Sequence, residues 1–322
     1  MIKILIQTPI RYDATSLYRV WGALIPLSKK HREIQLIPFE KGADWTVIMQ
    51  ADILFVQRPY QKDALILINY AKQMNVKVWV DYDDNLFEIP SSFEFAKLYN
   101  NTAKQIMEAC IMMADIVTFS TNNLNEYISK RLLDNYNYQL KAHVINNGVN
   151  INTPIKRKQT NKILWRGSAT HVDDIRHYRE LITNVGNKYG LTTFGYDCVS
   201  GRPHLNIKGS KHIQPVDPIV YFDLIKTIEC GIIIVPLIDN YLNQAKSNIA
   251  WLEATLSGMV CYASQVSEFI KEDCIADINH DIEDEQTKNK LYNNSIDVIA
   301  EHYNLIKLNE QRIKLIYDAM QQ

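Results

Sequence analysis

The chain has 322 residues, 47% of them hydrophobic, which is enough to build two hydrophobic cores of ordinary domain size. Its formal net charge of -1 leaves no overall positive charge to attract nucleic acid or an anionic membrane, so such a partner would need a local basic patch. The five cysteines are scattered without zinc-ligand spacing, which predicts buried free thiols in a reducing compartment.

The N-terminal run MIKILIQTPI is apolar but short, and it lacks a cleavage site, so we do not interpret it as a signal peptide. No segment of the sequence approaches the roughly 20 apolar residues that a membrane span requires. We therefore expect a cytoplasmic protein with no integral membrane association.

Short runs rich in Ile and Val alternate with helix-length segments along the whole chain. In the first half, strands are predicted at 2–7, 34–39, 52–57, 76–82, 115–120 and 142–148. After a polar stretch the pattern restarts, with strands predicted at 162–168, 191–196, 212–216, 231–237 and 259–264. Continuous apolar strands separated by helices are typical of parallel sheets covered by helices on both faces.

We therefore predict an α/β protein of two doubly wound, Rossmann-like domains. The domains are expected at 1–155 and 156–295, followed by a C-terminal helical segment at 296–322 that could pack on either domain. The basic KRK at 156–158 is interpreted as part of a solvated connector rather than a binding patch. Two such domains would face a cleft between the carboxyl ends of their strands, where open α/β sheets bind ligands.

The segment 243–259, NQAKSNIAWLEATLSGM, predicts a helix with an acidic residue beside its apolar stripe. At about 100° per residue, Ile249, Leu252 and Leu256 fall within about 60° of one another, and Glu253 lies about 40° to one side. The Glu253 carboxylate is therefore expected at the rim of the core, near the cleft.

The start of this helix has the features of a phosphate site. Ser247 is predicted as the N-cap and Gly258 as the C′ residue. Free N–H groups and the positive end of the helix dipole attract phosphate, and Lys246 adds a full charge there. Glu253 would then accept hydrogen bonds from ribose hydroxyls. The alternative is that a neighbouring basic residue pairs with Glu253 and that Lys246 lies in solvent.

The same segment resembles the signature of GT-B glycosyltransferases of family 4, of the phage and bacterial type. In that family, a loop and helix bind the diphosphate of a sugar nucleotide and a Glu binds its ribose. Six further segments resemble the family in the same order: SLYRVWGALIPL, ADILFVQRPY, VWVDYDDNLFEIP, ADIVTFSTNNLNEYI, VINNGVN and ILWRGSATHVDDI. The resemblance spans most of the chain, and it implies that the last helix crosses back to the first domain.

The sequence departs from the family pattern at two places. Many relatives carry two Glu residues with seven residues between them. The first of these positions is Ala245 here, so only the second Glu of the family pattern has a counterpart, Glu253. The family's Gly-Arg pair is replaced by Gly167-Ser168, so Arg166 or Lys246 would have to supply the charge beside the diphosphate.

The resemblance implies transfer of a sugar from a nucleotide-sugar donor, with a UDP- or GDP-sugar favoured, to an acceptor hydroxyl. Retention of configuration is expected, and neither metal nor cofactor is required. Lys246 and Arg166 are the expected catalytic groups, and Asp13 would be the base if the reaction inverts the anomeric centre. The expected donor-binding residues are Gly167, Ser168, His171, Asn243, Lys246, Ser247, Asn248 and Glu253.

Polar residues after the strands of the first domain are the candidates for the acceptor side. They are Arg11, Tyr18, Arg19, Arg58, Asp81, Asp83, Asp84 and Thr121. For Arg19 and Arg58 the alternative is a structural ion pair. Alternatively, the DYDDN segment at 81–85 could hold a divalent ion, or its side chains could form a turn or a helix cap.

Three classes of acceptor stay open: a glycan, a protein or modified DNA. Abundant Asn, Ile, Lys and Tyr would suit an enzyme of a low-GC bacterium or a phage-infected host, where an acceptor could be hydroxymethylated DNA. Against DNA, residues 1–150 contain 16 Lys and Arg and 15 Asp and Glu, a net charge of only +1. The remaining alternative is an inactive nucleotide-sugar-binding or scaffold protein, because Ala245 and Ser168 depart from the pattern.

Overall fold

The computed structural model describes residues 1–8, 13–40, 42–151, 156–202 and 204–321, and it divides into two compact units. Unit 1 consists of Met1–Gly148, Ala245–Ser247 and Leu305–Gln322. Unit 2 consists of Val149–Gln244 and Asn248–Asn304. Each unit is an α/β structure built on its own parallel sheet.

Each sheet has six parallel strands. The sheet of unit 1 contains β1 (Ile2–Gln7), β2 (Ile34–Pro38), β3 (Ile53–Gln57), β4 (Lys77–Tyr82), β5 (Ile116–Phe119) and β6 (His143–Val144), in the order β2-β1-β3-β4-β5-β6. The sheet of unit 2 contains β7 (Ile163–Gly167), β8 (Leu191–Gly195), β9 (Lys211–Ile213), β10 (Ile232–Val235), β11 (Val260–Ala263) and β12 (Ala276–Asp277), in the order β12-β11-β10-β7-β8-β9. Chain order therefore reverses between β1 and β3 and again between β7 and β10, and these are the switch points where doubly wound sheets bind ligands.

Twelve α-helices connect and cover the strands in the described part of the chain. Those of the first half are α1 (Ala14–Ser16), α2 (Gly22–Lys30), α3 (Lys62–Gln73), α4 (Asn101–Met113) and α5 (Asn122–Tyr136). Those of the second half are α6 (Val172–His177), α7 (Arg179–Tyr189), α8 (Pro218–Thr227), α9 (Tyr241–Gln244), α10 (Ile249–Leu256), α11 (Glu285–His302) and α12 (Leu305–Gln321). A π-helical stretch, Leu17–Trp21, joins α1 to α2.

The central strands β3, β4 and β5 of unit 1 are buried on both faces, which explains their largely apolar sequences. One face carries Leu5 and Leu54, which pack in a core with residues of α3, α4 and α5. On the other face, Phe55 and Trp79 meet at a ring separation of 5.0 Å and pack with residues of α2 and α12. Helix α12 therefore completes a core of the unit that starts at the N-terminus.

The core of unit 2 joins side chains from its central strands to the helices around them. Ile163, Ile232 and Tyr262 pack with Ile182 of α7 and Leu291 of α11. The five cysteines are free and buried, as predicted. Burial raises the pKa of Cys110 and Cys198 to about 12, so these thiols resist ionisation near neutral pH.

All eleven strands predicted from the sequence are present, and each of them except β1 is one or more residues shorter. The sequence analysis missed β12, which has two residues and no apolar run. The structural units also differ from the expected domain limits, because the first unit ends at 148 and the returning segment begins at Leu305.

The interpretation of 156–158 as a solvated connector is wrong for two of its three residues. Arg157 is 9% exposed and pairs with Glu285 of α11. The ammonium group of Lys158 donates to the carbonyl of Ile228 at 2.7 Å. These contacts hold the start of unit 2 against α11 and against the end of α8.

Among the described residues, none of the helices is both long enough and apolar enough to span a membrane.

Candidate functional site

A partly buried ion pair lies beside the switch point of the unit 2 sheet. Arg166, near the end of β7, reaches Glu253 of α10 with 2.7 Å between Nη2 and Oε2. Glu253 is 4% exposed, and the hydroxyl of Tyr221 donates to the same oxygen at 2.7 Å. Burial, with Glu253 nearby, raises the pKa of Tyr221 well above its usual 10, so the phenol stays protonated and acts as a donor.

This geometry corresponds to one of the alternatives that the sequence left open, in which Glu253 pairs with a neighbouring basic residue. It also brings together two residues expected at the donor site from opposite ends of the unit's sequence. The charges of Arg166 and Glu253 are thus held in fixed positions by each other and by Tyr221.

Asp174 organises a second group of predicted donor-binding residues. Its carboxylate is 3% exposed and accepts hydrogen bonds from the backbone N–H of Ile238 at 2.9 Å and from Asn243 Nδ2 at 2.8 Å. The other carboxylate oxygen lies 2.9 Å from His171 Nδ1. Asp174 therefore fixes the segment after β10, and it constrains both His171 and Asn243.

Glycine is required where β7 and β8 end side by side, at the pair Gly167 and Gly195. Gly195 has a φ of +91°, and a Cβ there would lie 2.5 Å from the carbonyl oxygen of Gly167. A Cβ on Gly167 would lie 2.9 Å from the Trp165 ring. The next residue, Ser168, is exposed, and its hydroxyl lies 2.7 Å from that of Thr170. The backbone after β7 can therefore be approached closely by a ligand at Ser168.

Helix α10 starts later than the sequence analysis expected. Its first residue is Ile249, and Asn248 occupies the cap position without a side-chain capping bond. Asn248 is 2% exposed, and its Nδ2 donates to the hydroxyl of Tyr303 at 3.0 Å. The prediction of Ser247 as N-cap is wrong, whereas Gly258, with a φ of +80°, takes the left-handed C′ position as expected.

Residues 245–247 belong to unit 1, where both neighbours of Lys246 are held. Ala245 is 1% exposed, and its carbonyl accepts a hydrogen bond from Thr121 Oγ1 at 3.0 Å. Ser247 Oγ accepts a bond of 2.8 Å from Asn147 Nδ2. Lys246 itself is partly exposed and forms no ion pair within the described ranges. Its backbone is thus fixed on both sides, while its charge is not neutralised by a described carboxylate.

Thr121 has two bonds that valine could not replace. Its Oγ1 also accepts the N–H of Leu124 at 3.2 Å and caps α5. We expect Thr121→Val to lower the free energy of unfolding by about 1–2 kcal/mol through the lost cap, and to loosen the chain at Ala245. Urea denaturation would measure the loss, with Thr102→Val, an exposed position in α4, as the control. Equal stability of the two variants would contradict this assignment.

Arg19 and Asp81 form a buried bidentate ion pair in unit 1. Arg19 Nη2 lies 2.6 Å from Asp81 Oδ1, and Arg19 Nε lies 3.0 Å from Oδ2. The two side chains are 1% and 3% exposed. Arg19 also donates to Asn147 Oδ1 at 3.3 Å. This burial favours the structural ion pair over direct contact with an acceptor.

Arg58 binds the other two carboxylates of the DYDDN segment. Its φ of 49° is unusual for a residue other than glycine, and its guanidinium pairs with Asp83 and, at 2.6 Å, with Asp84. Burial raises the pKa of Asp83 to about 6, although Arg58 acts in the opposite direction. Within the described ranges, no group of three or more His, Cys, Asp or Glu side chains is arranged to hold a metal ion.

Two further candidates of the first domain, Asp13 and Tyr18, lie on either side of α1 in the chain. Asp13 caps α1, since its Oδ1 accepts the N–H of Ser16 at 2.6 Å and its own N–H donates to Ser16 Oγ at 3.1 Å. Tyr18 is 7% exposed. Arg11 lies outside the described residues.

Tyr221 was missed by the sequence analysis because it is 32 residues away from Glu253 in the chain and belongs to no motif. Asp174 is not among the residues predicted for the site, although its spacing of three residues from His171 would have indicated a contact.

The fold is shared with solved glycosyltransferase structures. A glycosyltransferase from Rickettsia africae ESF-5 matches with a TM-score of 0.61 at 14% identity, covering 99% of this chain and 98% of its own. A sucrose-phosphate synthase from Thermosynechococcus elongatus matches with a TM-score of 0.66 at 10% identity, covering 99% of each chain. An alpha-glucosyltransferase, solved in complex with UDP-glucose and DNA containing an abasic site, matches with a TM-score of 0.56 at 12% identity, covering 98% and 95%.

At these identities the likeness shows the fold, and the predicted two-domain GT-B architecture is confirmed. Neither the protein-family models nor the curated proteins compared with this chain match it.

Proposed function

We propose that this protein is a glycosyltransferase that uses a nucleotide-sugar donor. The observation that carries the proposal is the ion pair between Arg166 and the buried Glu253 at the switch point of the unit 2 sheet. The shared fold supports it, since one of the similar structures is an alpha-glucosyltransferase solved with UDP-glucose.

Each of the proposed donor contacts has a distinct chemical role. Glu253 accepts hydrogen bonds from the ribose hydroxyls, and Arg166 beside it offers positive charge to the diphosphate. Lys246 is assigned to the diphosphate because it lies shortly before α10 in the chain and has no ion-pair partner among the described residues.

The reaction exchanges one carbon–oxygen bond for another. The bond from the anomeric carbon to the diphosphate oxygen breaks, and a bond from that carbon to the acceptor hydroxyl oxygen forms. The hydroxyl proton passes to the departing diphosphate. Positioning of the substrates and stabilisation of the developing negative charge would supply the rate enhancement.

We further propose that configuration is retained and that no metal is needed. The capping role of Asp13 supports retention, because its carboxylate already accepts a backbone hydrogen bond and is a poor candidate for a general base. Arg166 and Lys246 are the cationic groups that would take the place of a metal at the diphosphate.

A panel of UDP-, GDP-, ADP-, dTDP- and CMP-sugars tests the proposal. We expect one donor to raise the melting temperature and to release its nucleotide, with the same rate in the presence of EDTA. The proposal fails if no donor stabilises the protein and none is hydrolysed or transferred. Loss of release in EDTA would refute metal independence alone.

Replacement of Lys246 by alanine should lower turnover strongly with little change in stability. Removing one preorganised charge from a departing group costs roughly 10²–10³-fold in rate. Nucleotide release and thermal melting would be measured together, with Lys208→Ala, an exposed lysine of unit 2, as the control. Wild-type turnover in Lys246→Ala would remove this lysine from the mechanism.

A DNA acceptor is the second candidate, because one structure with this fold is described in complex with DNA. In that case, binding of a duplex with hydroxymethylated bases would weaken steeply with salt. A flat salt response would contradict it.

An inactive nucleotide-sugar-binding or scaffold protein would instead bind a donor without turnover under any acceptor. For location, we propose the cytoplasm of a bacterial or phage-infected cell, on the composition.

A further inference from the structure

A pocket of about 410 Å³ opens at the other switch point of the fold, between the ends of β1 and β3 in unit 1. Its volume lies within the range of small-molecule sites, roughly 300–1,000 Å³. Its walls come from the loop after β2, the 3₁₀ segment Trp45–Gln50 and the start of α3. The polar and aromatic side chains of the lining include Gln7, Glu40, Trp45, Arg58, Tyr60 and Asp63.

Gln7 contributes a hydrogen-bond acceptor without a partner. It follows Leu5 by two positions on β1, so its side chain lies on the sheet face that α3 covers, and Ala64 and Leu67 of α3 also line the pocket. Its Oε1 is buried and has no hydrogen-bond partner in the described part of the protein. A ligand that donates a hydrogen bond would satisfy this atom once the Gln7 amide turns towards the pocket.

Two aromatic rings offer flat apolar surfaces beside this acceptor. Trp45 is 37% exposed, and its ring lies 5.9 Å from that of Tyr70. Tyr60 lies 5.0 Å from Tyr99. Each ring is therefore held by contact with another aromatic residue, and a ring-shaped ligand could pack on it at a small cost in side-chain entropy.

The charged side chains of the described lining disfavour an anionic ligand. Glu40 and Asp63 are exposed carboxylates of the lining. Arg58 is the only cation among the described lining residues, and its guanidinium is already paired with Asp83 and Asp84. Carboxylates and an amide oxygen accept hydrogen bonds, so the matching ligand carries several donors and no negative charge.

We infer that this pocket binds a neutral sugar ring of the acceptor, whose hydroxyls donate to Gln7 and the carboxylates while its C–H face packs on Trp45. This inference rests on the proposed function and deepens it, because it names a neutral glycan as the acceptor class instead of nucleic acid. The phosphodiester backbone of a nucleic acid would meet two carboxylates and no unpaired cation of the described lining, and these charges would repel it.

An array of immobilised neutral glycans, sialylated glycans and DNA duplexes, probed with the labelled full-length protein, tests the inference. We expect retention on neutral glycans only, followed by calorimetric titration of the glycan retained. Trp45→Ala should weaken its affinity by roughly tenfold or more, and Gln7→Leu by about fivefold. Gln73→Leu, the same substitution at an exposed position of α3, should leave the affinity unchanged.

The inference is overturned if no neutral glycan is retained, if charged glycans or duplexes are preferred, or if neither pocket variant changes the affinity. Binding of the donor panel by the same proteins reports separately on the proposed function. Both pocket variants should bind donors as the wild type does. Glycan binding without any donor binding would refute the proposed function, and the pocket would then be a glycan site without an acceptor role.

Discussion

Replacement of Arg19 by methionine is expected to lower the free energy of unfolding by about 3–5 kcal/mol. The reason is that Asp81 would be left buried, with only 3% of its side chain exposed and without its bidentate partner. Asp81 would keep the hydroxyl of Thr118, which donates to its Oδ1 at 2.6 Å, but a neutral donor cannot compensate a buried charge. The bonds of Arg19 to Ile145 and Asn147 would also be lost.

Arg312 of α12 is the matched control, because it is a second buried guanidinium near the same carboxylate. It is 2% exposed, and its Nη2 has no hydrogen-bond partner in the described part of the chain. Burial, with a further effect of Arg19, lowers its pKa from 12.5 to about 9. We therefore expect Arg312→Met to be neutral or stabilising, since it removes a cation that folding disfavours.

The pH dependence of the Arg312 effect has a defined sign. Below pH 9 the guanidinium is charged in both states, and its burial opposes folding in full. As the pH rises from about 9 towards 12.5, the folded state releases the proton first, so the penalty decreases. The advantage of Arg312→Met should thus be largest near neutral pH. Urea denaturation of both variants measures these effects, and equal losses for the two arginines would contradict the assignment.

Replacement of Glu253 by glutamine should weaken nucleotide binding by roughly 10- to 150-fold, since a hydrogen bond to a charged group contributes about 1.5–3 kcal/mol. Glutamine keeps the shape and can still accept from Tyr221, so the change removes mainly the charge. The nucleotide for this measurement is the one identified by the donor panel.

The 2′,3′-dideoxy analogue of that nucleotide makes the test specific to ribose. Wild-type protein should bind the analogue about as weakly as Glu253→Gln binds the normal nucleotide, and the variant should not distinguish the two ligands. Glu180→Gln, at an exposed position of α7, is the control. If Glu253→Gln binds both nucleotides as the wild type does, Glu253 serves only as the partner of Arg166.

The strands could be predicted from the sequence because a parallel sheet covered on both faces needs continuous apolar runs. Ile232–Val235, for example, has no polar residue at all. The two residues of β12, Ala276–Asp277, carry no such pattern and depend on pairing with β11. Short edge strands of this kind are specified by the sheet that they join.

Side-chain partners were harder to predict, because they join residues distant in the chain. Ser247 fits the N-cap preference, but its hydroxyl accepts from Asn147, 100 residues earlier. Arg157 occurs in a basic triplet typical of connectors, yet Glu285 of α11 lies beside it. In both cases tertiary contacts override a local preference that was correctly identified.

The return of α12 to unit 1 has a consequence for the order in which the protein folds during synthesis. Leu308, Leu315 and Ile316 pack on the sheet face that carries Ile4 and Phe55. The ribosome must add the whole of 149–304 before these residues exist, which takes on the order of 10–30 s at about 5–20 residues per second. For that interval the N-terminal sheet emerges with one face incompletely covered. We therefore expect chaperones to bind nascent chains in which α12 has not yet been synthesised.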